Sequence, residues 1–397
     1  MATHRFEHDS ILSGVGQSDV GRRLGRSSLD LTVEAALAAI ADSGLTRDDI
    51  DGISTYPGGD PVSTHGYGGP PSFEVQEALR LQLNWFQGAA ELPGQLGAVI
   101  AAMTAVSAGL ARHVLVYRTV VESSAQGLGG RGAVFDADGH ATPLAGWLTP
   151  FGAPSAVNWL ALLATHHFAE FGTTREQLGQ IALTCRRNAG LNPAAVYRDP
   201  IAMADYLQAR MISTPLCLLD CDVPVDGSTA FIVSHADYAP DAAAPPVYVE
   251  AVGTAMNQRF TWDQQHDLSA MAATGVSEHL WSRTALRPAD VDTAQLYDGF
   301  SILALVWLEA MGFCPRGASG EFVEGGRRIA LDGELPINTG GGQLSGGRLH
   351  GFGLIHEAAL QLRRQAGHRQ LPKAEVAAVG NGGGPIAGAM LLTSARY

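Results

Sequence analysis

Two distant stretches of this chain read as copies of one another. "GLTRDDID" at 44–51 aligns with "ALRPADVD" at 285–292, sharing the Leu and two Asp residues, with Ile50 opposite Val291. Each stretch ends a helical run and leads into a strand, so an αβ unit is repeated rather than a peptide. A second echo follows in the same order: "PGQLGAVIAAM" at 93–103 and "GGQLSGGRLHG" at 341–351 each open a helix. The duplication implies an α/β chain of two similar halves, 1–240 and 241–397, packed as an αβαβα stack of helix and sheet layers. Carried forward, the alignment sets Tyr56 opposite Tyr297.

Local patterning fills in the first half. "ILSGVG" is a short apolar strand, followed by the helical "SLDLTVEAALAAIADSG" with Ser28 as N-cap and Gly44 as stop. "DDIDGISTY" returns as a strand and "GYGGPPS" is a loop. An apolar helix runs from about Gly94 to Gly109, and "HVLVYRTV" follows as a buried strand. Residues 122–215 break this alternation and read as an inserted subdomain, a long functional loop followed by two helices. "VDGSTAFIVS" regains strand character, and the Pro/Ala-rich "DYAPDAAAPPVYV" is the linker between halves.

A hydrophobic content of 46% with only 16% charged residues suits a compact enzyme with surface covered by partner subunits. The net charge of −13 excludes non-specific nucleic-acid binding, which needs clustered Lys and Arg. No apolar run is long enough to span a bilayer and the N-terminus is polar, so the expected location is the cytoplasm. Cys185, Cys217, Cys221 and Cys314 read as buried free thiols in a reducing compartment. Asp220, Asp222 and Asp226 read as turn residues and not as a metal centre. His166 and His167 read as packing residues on a helix, and Arg186 and Arg187 as a solvated pair.

Three motifs carry the chemistry: "YDGFS" at 297–301, "LPINTGGGQLSGGRLHG" at 335–351 and "NGGGPIAGAML" at 381–391. Together they resemble the thiolase superfamily over nearly the whole chain. The nearest branch is the sterol-carrier-protein and lipid-transfer type, which includes aldolases that cleave steroid side-chain acyl-CoAs. The resemblance implies a thiolase-like fold, a homodimer and a small OB-fold/zinc-ribbon acyl-CoA-binding subunit. It also implies coenzyme A as part of the substrate, with no separate cofactor.

The family's two cysteine positions fall at Leu92 and Gly380, its Gly-His-Pro histidine at Arg348, and its His or Asn in the "YDGFS" stretch at Tyr297. Leucine cannot replace a thiolate nucleophile, so ordinary thiolase chemistry is not expected. What the resemblance implies instead is retro-aldol cleavage of a β-hydroxyacyl-CoA, which needs a base, an enolate-stabilising site and an acid. Two other readings stand beside it: a non-catalytic acyl-CoA-binding scaffold, and a Cys-independent acyl-CoA acyltransferase or hydrolase.

Tyr297 is the expected acid/base, with Arg348 and His350 lowering its pKa, against the plainer reading of a core-edge tyrosine. His350, with Gly346 and Gly347, approaches a helix through a glycine-rich turn whose free N–H groups suit an enolate oxygen or a phosphate. A structural His capping that turn is the alternative. At 348 the aldolases carry tyrosine, whereas Arg348 only donates and suits an oxyanion. Asn381 is expected to donate to the thioester oxygen, with Gly382 and Gly383 allowing close approach of the ligand. Asp298 is expected to cap the next helix or to orient His350.

Overall fold

The computed structural model describes residues 5–58, 66–88, 95–126, 146, 148–153, 155–256, 259 and 261–397. In the first half lie β1 (Ser10–Gln17), α1 (Ser28–Ser43), β2 (Gly52–Thr55), α2 (Ser72–Leu79), β3 (Trp85–Gly88), α3 (Gly97–Ser107) and β4 (His113–Val121). The region that breaks the alternation holds α4 (Ala156–Phe171), α5 (Arg175–Ala189), α6 (Met203–Gln208) and the strands β5 (Met211–Ser213) and β6 (Leu216–Cys217). β7 (Asp226–His235) then leads to β8 (Val247–Met256), α7 (Met271–Trp281), β9 (Thr293–Leu296), α8 (Ser301–Ala310) and α9 (Ser319–Val323). The chain ends with α10 (Phe352–Leu362), β10 (Val376–Gly382) and β11 (Ile386–Thr393).

The main sheet has the order β3-β2-β4-β7-β1-β8-β11-β10-β9. Its two sides meet where β1 pairs with β8 through only Ile11↔Tyr248 and Leu12↔Val247. Outward from that junction both sides read alike. β1, β7, β4 and β2 join by antiparallel, antiparallel and parallel pairings, and so do β8, β11, β10 and β9. β3 is an addition, parallel to β2 on the outer edge.

The aspartates of the repeated motif do the same work in both copies. Asp49 accepts the Thr46 N–H at 2.8 Å and Asp290 accepts the Arg287 N–H at 2.8 Å, each closing a single 3-10 turn. Two residues on, Asp51 accepts the N–H groups of Arg112 and His113 at the start of β4. Asp292 accepts those of Glu375 and Val376 at the start of β10. A carboxylate on two backbone donors satisfies groups that a strand end would leave unpaired, which accounts for Asp in both copies.

Period-two alternation in β4 and β7 separates the helix layers. Leu115, Tyr117, Ala230 and Ile232 pack with Ala35, Ala36, Ala39 and Ile40 of α1. Val114, Val116, Phe231 and Val233 face the other way, into a core shared with Ala98, Val99 and Ala102 of α3. That core continues through α7, α8 and α10 of the second half. α8 is buried from Ser301 to Leu308, as a helix apolar on all sides must be.

Several boundaries differ from expectation. α1 is capped by Ser27, whose hydroxyl accepts the Asp30 N–H at 3.1 Å, and not by Ser28. α3 begins at Gly97; Gly94 lies outside the described residues, as does most of the functional loop expected after 122. Among the described residues no helix is long and apolar enough to cross a membrane.

Candidate active site

β9 ends by delivering Tyr297 to a buried corner, its N–H bonded to Gly380 O at 2.9 Å. Asp298 follows, fully buried. Its Oδ1 accepts the Gln343 N–H at 2.8 Å, its Oδ2 faces the Leu344 N–H at 3.4 Å, and the Cys185 thiol donates to it at 3.4 Å. Neither expected role of Asp298 is met. The N-cap of α8 is Phe300, without a side-chain cap bond, and the carboxylate holds the 342–346 loop instead of His350. Gly342 makes this grip sterically possible: φ is +57°, and a Cβ there would lie 2.0 Å from Asp298 Oδ2.

Burial pushes the Asp298 carboxyl from its ordinary 3.8 up to about 6, against the backbone N–H groups that favour the anion. A raised carboxyl pKa favours the protonated folded protein, so this stabilisation is complete below about pH 4 and is lost as pH rises to about 6. The difference corresponds to about 3 kcal/mol. Urea titrations of the wild type and of Asp298→Asn, which keeps an acceptor oxygen, are expected to show the wild type losing stability relative to the variant across that window. A pH-independent difference would contradict this account.

Arg348 is not a free cation. Its Nε donates to Glu122 Oε2 at 2.8 Å, a second guanidinium nitrogen bonds Glu122 Oε1, and Nη1 lies 3.3 Å from Asp222 Oδ2. The expected oxyanion-binding guanidinium is thus already engaged by two carboxylates. Of the other two aspartates, Asp220 accepts from Tyr206, Ser301 and the Cys217 N–H. Asp226 accepts from Ser124 and the Leu24 N–H.

His350 precedes α10 from a left-handed backbone, φ +53°, and is buried. Its Nδ1 lies 3.4 Å from Tyr67 Oη and 3.3 Å from Gln95 Nε2. The ring stacks on Tyr56 at 5.9 Å between centroids and meets Tyr67 and Tyr297 edge-on at 4.7 and 6.3 Å. Tyr56 and Tyr297, opposite one another in the repeat, thus converge on one imidazole. Burial, then Arg118 and Arg348, hold His350 well below the usual histidine range, so it is neutral. Tyr297 departs from expectation: burial and then Asp222 raise its pKa, outweighing Arg348, so it is a phenol and not a phenolate.

The glycine-rich segments face the protein more than any ligand. Gly382 O accepts the Trp307 indole N–H at 3.1 Å, and a Cβ on Gly383 would come within 3.3 Å of Trp307 Nε1. Gly346 N–H bonds Gly341 O, and a Cβ on Gly347 would meet Val225 at 2.8 Å. Most N–H groups of this turn, which was expected to leave them free, are bonded within the protein, those of 345, 346, 348 and 351 among them. Arg186 is not solvated, since its Nε donates to Ser345 at 2.9 Å. His167, a packing residue as read, is buried between Glu309 and Thr173.

Asn381 behaves differently. It is fully buried beside Gly351, and neither its Oδ1 nor its Nδ2 has a hydrogen-bond partner among the described residues; Gln343 Nε2 shares that state. Buried carboxamides are normally satisfied, so Asn381, with the Nε2 of Gln343 beside it, calls for a ligand group. Leu92 lies outside the described residues. At Gly380, a Cβ would approach the Trp307 ring to 2.8 Å, so this indole occupies the room a second cysteine needs.

Tyr67, Gln95, Arg118 and Glu122 were not picked out in the sequence. Arg118 had a signal, a cation inside the otherwise apolar run "HVLVYRTV". Its guanidinium is fully buried, 4.8 Å from the Tyr67 ring centroid and 5.5 Å from that of Tyr56. A 240 Å³ cavity lined by Gln17, Gln295, Gly346, His356 and Glu357 also takes in Gln343 and Gly347, but none of Tyr297, Arg348, His350 and Asn381 lines it.

Known proteins share this arrangement of sequence and fold. The family profile described as "Thiolase C-terminal domain-like" matches residues 253–393. A steroid side-chain-cleaving aldolase of Thermomonospora curvata is 35% identical over 361 residues, covering 89% of this chain and 90% of that one. The 17-hydroxy-3-oxo-4-pregnene-20-carboxyl-CoA lyase of Mycobacterium tuberculosis is 33% identical, covering 89% and 91%. The solved Ltp2-ChsH2(DUF35) aldolase superposes with a TM-score of 0.88 at 31% identity, covering 98% of this chain and 99% of that one.

Proposed function

This chain belongs to the thiolase superfamily, among the side-chain-cleaving aldolases of its lipid-transfer-type branch, and on that footing we propose a retro-aldol lyase acting on a bulky steroid β-hydroxyacyl-CoA. It yields a ketone or aldehyde and a shorter acyl-CoA, without a cysteine nucleophile. Coenzyme A enters as part of the substrate, no other cofactor is invoked, and the reaction is assigned to the cytoplasm.

The observation that carries this reading is one buried corner holding a neutral phenol, a neutral imidazole, the unpartnered carboxamide of Asn381 and the unpartnered Nε2 of Gln343. As the Cα–Cβ bond breaks, its electron pair moves onto the thioester as an enolate. We assign Asn381 Nδ2 and Gln343 Nε2 to the enolate oxygen, because preformed donors in a water-poor site stabilise developing charge best. Tyr297, kept protonated by burial, delivers its proton to Cα and so acts as the acid. Arg348, clasped by Glu122 and Asp222, braces the wall of the site.

Two observations support the assembly we propose. β3 leaves one sheet edge open and carries Phe86 at 71% exposure, with Phe73 of α2 at 66%. Exposed edges and large apolar side chains are ordinarily covered, so a second copy of this chain is assigned there. The similarity to the Ltp2-ChsH2(DUF35) aldolase supports a small OB-fold/zinc-ribbon subunit as acyl-CoA-binding partner. Mass analysis of products from a β-hydroxyacyl-CoA separates the readings. A carbonyl fragment plus a shorter CoA ester is expected; free CoA would mean hydrolysis, and unchanged ligand a scaffold.

A further inference from the structure

The β-hydroxyl proton needs an acceptor, and Tyr297 cannot take it while it is a phenol. Arg348 stays protonated between two carboxylates, its pKa raised further by Asp222 and Glu122. Glu122 and Asp222 are engaged by Arg348, and the neutral ring of His350 offers a lone pair that no cation holds. Its Nδ1 lies 3.4 Å from Tyr67 Oη and 3.3 Å from Gln95 Nε2, which is also 3.5 Å from the ring's Nε2, and the relay uses the tautomer in which Nδ1 accepts from Tyr67. Tyr67 Oη lies 3.1 Å from Tyr56 Oη, and both tyrosines are only partly buried whereas His350 is buried. Three oxygen and nitrogen atoms thus run from a partly open surface to an internal base.

Arg118 lies against both phenol rings. Nη1 donates to Thr119 O at 2.7 Å, but Nε and Nη2 have no partner among the described residues. Among the described residues no carboxylate is bonded to it; Glu122 and Arg348 act on it through space and with opposite sign. An isolated buried cation is costly unless negative charge appears beside it. Such charge arises when one of the adjacent tyrosines gives up its proton.

We propose that Tyr56, Tyr67 and His350 form the proton relay that removes the β-hydroxyl proton, with Arg118 holding the negative charge that develops on the phenol oxygens. The inference rests on the lyase reading above and adds the base to it. The substrate proton passes to Tyr56 Oη as Tyr56 gives its own to Tyr67 Oη and Tyr67 gives its own to His350 Nδ1. The O–H electron pair becomes the new C=O bond, and the Cα–Cβ pair becomes the enolate. Tyr297 then protonates Cα. The imidazolium loses one proton and Tyr297 regains one, so the net change is one proton moved from oxygen to carbon, with no oxidant or reductant.

The test compares Tyr67→Phe, Tyr297→Phe and His350→Gly in cleavage of a β-hydroxyacyl-CoA by the protein with its accessory subunit. Tyr67→Phe is expected to lower kcat about 100-fold with KM unchanged within about twofold. Glycine suits the positive φ at 350, and external imidazole is expected to restore turnover to His350→Gly, which a purely structural role would not allow. If Tyr67→Phe keeps kcat within about threefold of the wild type while Tyr297→Phe loses it, the relay falls and the lyase reading stands. Cleavage that survives in both would overturn the relay and the acid role of Tyr297, whereas no cleavage by the wild type would overturn the lyase reading itself.

Discussion

Tyr297→Phe is expected to lower kcat by about 1,000-fold while leaving acyl-CoA affinity nearly unchanged. The substitution removes one hydroxyl and keeps the ring, whose position is set by the backbone bond to Gly380 and by Gly299, where a Cβ would lie 2.7 Å from the ring. Packing is therefore preserved and the enolate loses its proton donor. Water reaching a buried corner is a poor substitute, so the loss falls on the chemical step and not on binding. Stopped-flow kinetics with a ligand-binding titration check both halves of this expectation. A parallel loss of affinity would assign Tyr297 to binding.

Arg348→Leu is expected to cost about 3–5 kcal/mol of folding stability. The guanidinium is 17% exposed and its partners Glu122 and Asp222 are 8% and 5% exposed, so removing the cation leaves two carboxylates facing each other out of water. The penalty is that of an uncompensated buried charge, larger than the value of the ion pair itself. Adding Glu122→Gln and Asp222→Asn to Arg348→Leu is expected to recover most of the loss. Urea unfolding monitors both, and a loss below about 1 kcal/mol would mean the cluster is effectively solvated. The activity of Arg348→Leu also falls, because Asp222 then raises the Tyr297 pKa unopposed and weakens it as an acid.

The duplicated frame was readable because its signal is local. Asp49 and Asp51, like Asp290 and Asp292, bond backbone groups at fixed offsets, so the motif survives as a recognisable string. The site was readable only where a motif or the repeat pointed to it. Tyr297, His350 and Asn381 came from motifs, and Tyr56 from its place opposite Tyr297. Gln95 stands opposite Gln343 in the second repeat echo, whereas Tyr67 and Glu122 reach the corner from segments with no motif. Asp298 was misread because a following helix suggests a cap, whereas its true partners at 343 and 344 lie far along the chain. The terminal glycines were misread for the same reason: Trp307, which they accommodate, is a tertiary neighbour.

The pKa of Tyr297 was likewise not a sequence property. Arg348 in the motif suggested a lowered value, but burial and Asp222 outweigh it. Asp222 enters through long-range bonds, its N–H to Gly299 O and the neighbouring Val223 N–H to Gln343 O. That network keeps Tyr297 a phenol, where a lowered pKa was expected.

The central claim is cleavage of a carbon–carbon bond through an enolate that the protein itself protonates. Turnover of a β-hydroxyacyl-CoA in deuterated water, with mass analysis of the released acyl-CoA, tests it most directly. One solvent deuterium at Cα of the shorter acyl-CoA, together with the carbonyl fragment, is the predicted result. Bound substrate that emerges intact, or free coenzyme A without a carbonyl fragment, would contradict it.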